Sequence, residues 1–248
     1  YFMRNVRKKK RREVKNMTEI CLMCGKCVEV CPLGIESINI KMAQRSKIYY
    51  KLKSDFSYLE GRQTTGDGQK ARAKVVYFAG CMSHLTPKIT RSMVKIFEEA
   101  KENYEFMDIN GSICCGRPMM LTGKANEAKA LIEKNTELIM NSGAKRLVLS
   151  CPICYKVFKE EYDLGGVEIL HHTQYINELI EDERISIDRS DKRYVYHDPC
   201  ELGRAFGVYD EPRNIIENIG LLTQGKSDRD MAVCCGGSIG SLTMTLEE

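Results

Sequence analysis

The sequence predicts an α/β protein: a parallel-stranded, cysteine-bearing domain laid out twice, behind a small, mainly helical segment with cysteines of its own. Three observations carry that expectation. Short apolar runs alternate with amphipathic stretches, the pattern of strand–helix units that build a parallel sheet. Cysteines follow the carboxyl ends of several of these runs, the edge where open α/β sheets bind ligands. The pattern also restarts. Val75-Val76-Tyr77-Phe78-Ala79-Gly80-Cys81, followed 33 positions later by Cys114-Cys115-Gly116, recurs as Tyr194-Val195-Tyr196-His197-Asp198-Pro199-Cys200, with Cys234-Cys235-Gly236 coming 34 after Cys200.

Taken in order, residues 1–16 read as an exposed basic helix or linker, and 17–45 hold the first cysteine run followed by a helix-compatible stretch. Residues 46–72 are a linker, with turn-forming residues between Gly61 and Gly68. The first half of the repeated domain covers 73–190. Its strands are expected at Val75 to Phe78, Tyr104 to Ile109, Arg146 to Ser150 and Val167 to Leu170. Its helices are expected at Lys88 to Lys101, Asn126 to Met140, Tyr155 to Tyr162 and Thr173 to Ile180. Helix 126–140 places Ala130, Leu131, Ile132, Leu138 and Ile139 on a buried face, with Glu133, Lys134 and Asn135 interposed. The second half, 191–248, begins with a strand at Tyr194 to His197. It stops short of a counterpart to Cys151, which the spacing would put near position 271, past Glu248.

Composition narrows the function. Hydrophobic residues at 43% and charged residues at 29% describe a globular chain. No apolar run approaches the ~18 residues of a membrane span, and the first residues lack a signal peptide's apolar core. A cytoplasmic setting is expected, with any membrane contact made through a partner. The net charge of +4 is uneven: residues 1–16 hold eight Lys or Arg against Glu13 alone. Without aromatic interleaving this basic run is read as a solvated helix or linker rather than a nucleic-acid site.

Twelve cysteines in such a chain point to metal ligation, because their spacing suits thiolates converging on inorganic centres rather than a disulfide framework. Cys21, Cys24, Cys27 and Cys31-Pro32 form the run that wraps a ferredoxin-type 4Fe–4S cluster. Zinc rarely uses three cysteines at successive two-residue gaps. In two-cluster ferredoxins the fourth cysteine of a run serves the other cluster, so either Cys31 is arranged differently here or a partner run is expected before Tyr1. Adjacent Cys114 and Cys115 strain one tetrahedral ion, but two neighbouring irons can each accept one.

The run Cys21 to Pro32, Gly80-Cys81, Cys114-Cys115-Gly116-Arg117-Pro118, Ser150-Cys151-Pro152-Ile153-Cys154-Tyr155, and His197-Asp198-Pro199-Cys200-Glu201-Leu202-Gly203-Arg204 with Cys234-Cys235-Gly236-Gly237 together resemble the iron–sulfur subunits of heterodisulfide reductases. That superfamily of cysteine-rich CCG-domain proteins also includes iron–sulfur subunits of glycolate oxidase, lactate-utilisation complexes and anaerobic glycerol-3-phosphate dehydrogenase. The resemblance covers Met17 to Ser241. It implies a duplicated Rossmann-like CCG domain and a non-cubane 4Fe–4S cluster on Cys81, Cys114, Cys115, Cys151 and Cys154, the residues expected to be catalytic. Cys200, Cys234 and Cys235 would hold either a second cluster or zinc. It further implies an oxidoreductase subunit that relays electrons between the two cluster types. The partners would be flavoprotein or other iron–sulfur subunits, or a membrane subunit that reacts with quinone.

Arg117 and Arg204 each follow a motif cysteine closely, and a guanidinium there can offset the negative charge of a thiolate-ligated cluster. His84 is read as a helix-cap or surface residue, His171 and His172 as structural, and His197 as a buried, hydrogen-bonded loop residue. Met119, Met120 and Met231 are read as core or cleft lining.

Overall fold

The computed structural model describes residues 7, 8, 10–47, 73–111 and 113–236. Most of the expected 46–72 linker, part of the basic run and the last residues of the second half therefore lie outside the described residues. The elements are α1 (Arg11–Glu19), α2 (Lys26–Glu29), α3 (Ser37–Arg45), β1 (Val75–Phe78), α4 (Cys81–His84), α5 (Pro87–Glu99), β2 (Tyr104–Phe106), α6 (Arg117–Leu121), α7 (Ala125–Ser142), β3 (Arg146–Leu149), α8 (Pro152–Glu161), β4 (Glu168–His171), α9 (His172–Glu181), β5 (Arg193–Val195), α10 (Gly203–Phe206), α11 (Asp210–Ile219) and β6 (Leu221–Thr223).

β1 to β4 form one sheet in the order β2-β1-β3-β4, all parallel, with Val76 opposite both Glu105 and Leu147. Such a sheet must be covered on both faces, so its central strands read as continuous apolar runs. Successive side chains of β1 and β3 go to opposite faces. Val76, Phe78, Leu147 and Leu149 pack with Ile139 of α7 and with Val157 and Phe158 of α8. Val75, Tyr77 and Val148 pack with Met93 and Phe97 of α5 and with Tyr175 and Leu179 of α9. The chain steps outward from β1 to β2, then crosses back to place β3 on the other side of β1. This reversal opens a crevice beyond the carboxyl ends of β1 and β3.

β5 and β6 form a separate parallel pair, with Tyr194 opposite Leu222. Like β1 and β2, they are parallel neighbours. Among the described residues the second half contributes only these two strands, so the expected doubling reaches the first strand pair and not a full second sheet.

The amino-terminal helices are more integrated than an exposed basic run suggests. Val14 and Thr18 of α1 are buried. Arg45, fully buried in α3, donates to the carbonyls of Thr18 (2.8 and 3.1 Å), Glu19 (3.4 Å) and Cys21 (3.0 Å). One guanidinium thus satisfies the free carbonyls at the end of α1 and fixes the start of the cysteine run.

Several boundaries differ from the sequence expectation for physical reasons. β2 ends at Phe106 because the chain turns to aim Asp108 back at β1. α8 begins at Pro152, not Tyr155, since proline suits the first helical position. On α7 the buried side chains are Ala128, Asn135 and Ile139, whereas Ala130 and Leu138 are exposed.

Candidate metal centre

Each of the five cysteines is set by a different local device at the β1/β3 crevice. Cys81 opens α4 directly after β1. The Asp108 carboxylate accepts the main-chain N–H groups of Ala79 and Gly80, both at 2.8 Å, and so pins the turn that delivers Cys81. Gly80 has φ +84°, and a Cβ there would stand 2.9 Å from Cys154 Sγ and 3.0 Å from Cys151 Cβ. Only glycine lets the turn pass this close to the sulfurs.

Cys114 and Cys115 lie buried in the extended segment before α6. Asn135 of α7 donates to the Cys114 carbonyl at 2.9 Å and to the Tyr162 hydroxyl at 2.9 Å, while that hydroxyl donates to the Cys115 carbonyl at 3.2 Å. Both main-chain oxygens of the dipeptide are held from behind, leaving the thiols to face the crevice. Cys151 is the N-cap of α8, and Cys154 lies in that helix's first turn.

The thiols interact in sequence: Cys81 with Cys114, Cys114 with Cys115, Cys115 with Cys154, and Cys154 with Cys151. Cys151 in turn feels the charge of Cys81, so the five thiols act on one another as a single group. Within it, the donating thiols of Cys114 and Cys154 and the Arg117 N–H pull the Cys115 thiol down to about 5. The Cys154 thiol and the N–H groups of Cys154 and Ile153 lower Cys151. Cys81, Cys114 and Cys154 are pushed up by neighbouring sulfurs and by burial, Cys114 to about 12.

All twelve cysteines are free thiols. Among the described residues no three His, Cys, Asp or Glu side chains are arranged around a single metal ion. A cluster asks for something else, namely several thiolates, each presented to a different iron, with N–H donors aimed at the sulfurs. The five-cysteine group offers that donor set. Its main-chain donors are Met82 to Cys81, Gly116 to Cys114, Arg117 to Cys115, and Ile153 and Cys154 to Cys151.

The amino-terminal run is dressed differently. Cys21 Sγ accepts the Met23 N–H at 3.4 Å and the Lys41 ammonium at 3.1 Å, and Cys27 Sγ lies 2.9 Å from the Ser37 hydroxyl. The N–H groups of Ile35, Leu33 and Gly34 lower the Cys31 thiol. These donors suit anionic sulfur. In the second half Cys200 and Cys234 interact with one another, burial pushes Cys200 up to about 12, and Cys235 is exposed.

The two arginines do other work than facing sulfur. Arg117 is buried and its guanidinium meets Glu201 at 3.2 Å, so it reaches the five-cysteine group only through its main-chain N–H. Arg204 donates to the carbonyls of Cys24 (2.6 Å), Asp230 (3.0 Å) and Ala232. His84 pairs with Asp108 at 3.3 Å. His171 caps α9, and its Nε2 lies 3.3 Å from the Ser150 carbonyl. His197 is exposed, contrary to the expectation of a buried loop residue. Its neighbour Asp198 is the buried one, paired through both carboxylate oxygens with Arg213 at 2.7 Å and accepting the Arg229 N–H at 2.7 Å. Met119 is buried, but Met231 is exposed.

Asp108, Asn135, Tyr162, Asp198 and Glu201 were not singled out from sequence. Asn135 alone carried a readable signal there: it stands seven residues after Ala128 and four before Ile139, on the buried stripe of α7.

Among curated proteins, the chain is 28% identical to one subunit of the dihydromethanophenazine:CoB–CoM heterodisulfide reductase of Methanosarcina barkeri, over 92% of this chain and 64% of that protein. It is 28% identical to one subunit of the fumarate reductase (CoM/CoB) of Methanothermobacter marburgensis, over 89% of this chain and 48% of the relative. It is 26% identical to the EtfAB:quinone oxidoreductase of Syntrophomonas wolfei, over 92% and 37%. The chain thus spans less than two thirds of the length of each of these relatives. No solved structure matches it. Among the described residues no helix is long and apolar enough to cross a membrane. The cysteine-rich domain model matches residues 75–159 and 194–246, more than half of the chain and both copies of the repeated motif, and the protein therefore belongs to the cysteine-rich (CCG) domain family.

Proposed function

We propose that this chain is an iron–sulfur electron-transfer subunit of a heterodisulfide reductase-like oxidoreductase complex. Cys21, Cys24, Cys27 and Cys31 hold a ferredoxin-type 4Fe–4S cluster, and Cys81, Cys114, Cys115, Cys151 and Cys154 hold a non-cubane one. The observation that carries the reading is the gathering of five mutually interacting thiols, met by main-chain N–H donors and packed against the Gly80 turn, at the carboxyl-end crevice of a parallel sheet. Such clusters supply one-electron chemistry when bound. The chain's own part is to bury four of the five thiols, to hold the Cys114 and Cys115 carbonyls from behind, and to keep the Cys81 side of the crevice open to a substrate sulfur. Cys200, Cys234 and Cys235 bind a second cluster or zinc.

A second reading takes the same centres as an iron–sulfur subunit of a flavin-dependent dehydrogenase that passes electrons to quinone. The likeness to an EtfAB:quinone oxidoreductase supports it. In either case the partners are other redox subunits, and any membrane contact is made through them in a cytoplasmic setting.

The test is anaerobic purification with iron, sulfide and zinc analysis and EPR of the reduced and oxidised chain. Iron and sulfide in cluster stoichiometry are expected, with two distinct signals. Cys115→Ser should remove the cysteine-domain signal and spare the ferredoxin-type one. Colourless protein holding only zinc would replace the proposal with a zinc-stabilised structural module.

A further inference from the structure

The second cysteine motif is the one that touches both other centres. On one side Glu201, next to Cys200, meets Arg117 at 3.2 Å and Lys156 at 3.3 Å, and these follow Cys115 and Cys154 by two residues each. On the other side Arg204 reaches across to the ferredoxin-type loop. Its guanidinium donates simultaneously to the Cys24 carbonyl of that loop and to the Asp230 and Ala232 carbonyls that lead into Cys234.

A planar fork carries its donors on three nitrogens in a fixed geometry and can hold three separated carbonyls in place, whereas an ammonium's three donors rotate about a single nitrogen. Among the described residues these partners are all main-chain oxygens, so the side chain acts as a strut between two loops rather than as half of an ion pair. Lys26 adds a second tie, its ammonium lying 3.3 Å from the Asp230 carbonyl and 3.1 Å from Met231 Sδ.

The loop is shaped to receive the strut. Gly25 has φ +76°, and a Cβ there would lie 3.4 Å from Arg204 Cδ, so the arginine stem runs along the bare face of this glycine. Cys24, Cys200 and Arg204 line one cavity of about 390 Å³. Cys24 also lies near enough for its charge to act on both Cys200 and Cys234.

We infer that Arg204 is a positioning residue that seats the ferredoxin-type loop on the second cysteine motif, so that Cys24 faces Cys200 and Cys234. The inference rests on the electron-transfer reading for its consequence. Electrons then pass between the ferredoxin-type centre and the cysteine-rich domain at this motif, one at a time, with the donor oxidised and the acceptor reduced by one electron and no bond made or broken. With a cluster on Cys200, Cys234 and Cys235 the second motif is a way station for the electron, and with zinc there it is the structural seat of the ferredoxin-type loop.

The seating is testable without any cluster. The full chain, stripped of metal, is treated briefly with diamide, which takes two electrons and two protons from a thiol pair to leave a disulfide. The bridges are then read by mass spectrometry of peptides. Cys24 should be trapped with Cys200 or Cys234, and Arg204→Gln should lower that yield by about ten-fold. The Cys81–Cys114 bridge, inside the first motif, should keep its yield and so report an intact fold.

Arg204→Lys keeps the charge but loses the fork. It should resemble the glutamine variant if bridging matters, and full rescue by lysine would overturn the inference in favour of charge alone. Trapping of Cys24 with Cys115 or Cys151 would overturn it, as would no trapping of Cys24 in the parent chain or an unchanged yield in Arg204→Gln. Should Arg204→Gln lose the Cys81–Cys114 bridge too, Arg204→Lys decides in its place. In metal-loaded chain, magnetic broadening between the two reduced centres should weaken in the variant at unchanged iron content. Absence of iron sinks the electron-transfer reading while leaving the trapping result to decide the seating.

Discussion

Gly80 shows how tightly single residues control the crevice. Its φ of +84° is a left-handed setting, and the nearest atoms to an added methyl are Cys154 Sγ at 2.9 Å and Cys151 Cβ at 3.0 Å. Gly80→Ala therefore strains the backbone by about 1 to 3 kcal/mol and pushes the Cys154 sulfur and the Cys151 side chain out of place. Iron and sulfide should fall by the content of the five-cysteine centre, with the ferredoxin-type signal kept and the secondary structure retained by circular dichroism. The histidines make a second prediction. Burial lowers His171 well below its usual range and His172 to about 4, so both are neutral in the fold. The unfolded chain titrates near 6.5 and binds more protons below that value, so stability is full above pH 6.5 and is lost as pH falls toward 4. The urea midpoint should drop across that window, and His172→Asn should flatten the drop. The cysteines were legible as residues because their spacing is itself chemical information. Gly80 was legible only as part of a motif, since its reason is a contact with a loop 70 residues away.

At the scale of elements, the α7 helix acts as a brace. Asn135 is buried between Ala128 and Ile139, and its amide holds the Cys114 carbonyl and the Tyr162 hydroxyl that in turn holds the Cys115 carbonyl. Asn135→Ala leaves at least one of these buried oxygens without its donor, a cost of about 1 to 3 kcal/mol. Urea unfolding should show that loss, and the EPR signal of the five-cysteine centre should broaden while the ferredoxin-type signal holds. Strand–helix alternation placed the elements of the first half because β1 and β3 are buried on both faces and must be apolar throughout. Periodicity was weaker on α7, where a polar residue on the buried stripe looks like a residue of the wet face. It also overlooked the start of α8. Cys151 and Pro152 read as loop, but proline is at home at the first helical position, and the unpaired N–H groups of that first turn, those of Ile153 and Cys154, act on the Cys151 sulfur.

For the whole molecule, the decisive joint is one that no local pattern announces. Glu201 and Arg117 stand 84 residues apart, and nothing in either segment pairs one with the other. In the fold the Glu201 side chain is 8% exposed and that of Arg117 7%, with Lys156 on the other carboxylate oxygen. Two cysteine motifs that sequence could only align as repeats are thereby locked side by side. Breaking such a pair from one end strands a buried charge, at about 3 to 5 kcal/mol, whereas replacing both ends with apolar groups of similar size is often close to neutral. Glu201→Gln should therefore lower stability by about 3 kcal/mol, because Arg117 then faces a neutral amide while Lys156 still has Glu160 at 3.6 Å. Arg117→Met alone should cost less, because Glu201 keeps Lys156 at 3.3 Å, and the combined Arg117→Met and Glu201→Leu chain should recover most of the Glu201→Gln loss. A double-mutant cycle by urea unfolding reads the coupling directly. Additive losses would mean that the two halves are held together elsewhere, in the apolar packing of Leu202 and Phe206 against Tyr155. A large coupling would make the Glu201 carboxylate the hinge pin that keeps the five-cysteine crevice beside the second motif, and with it the path that Arg204 extends to the ferredoxin-type loop.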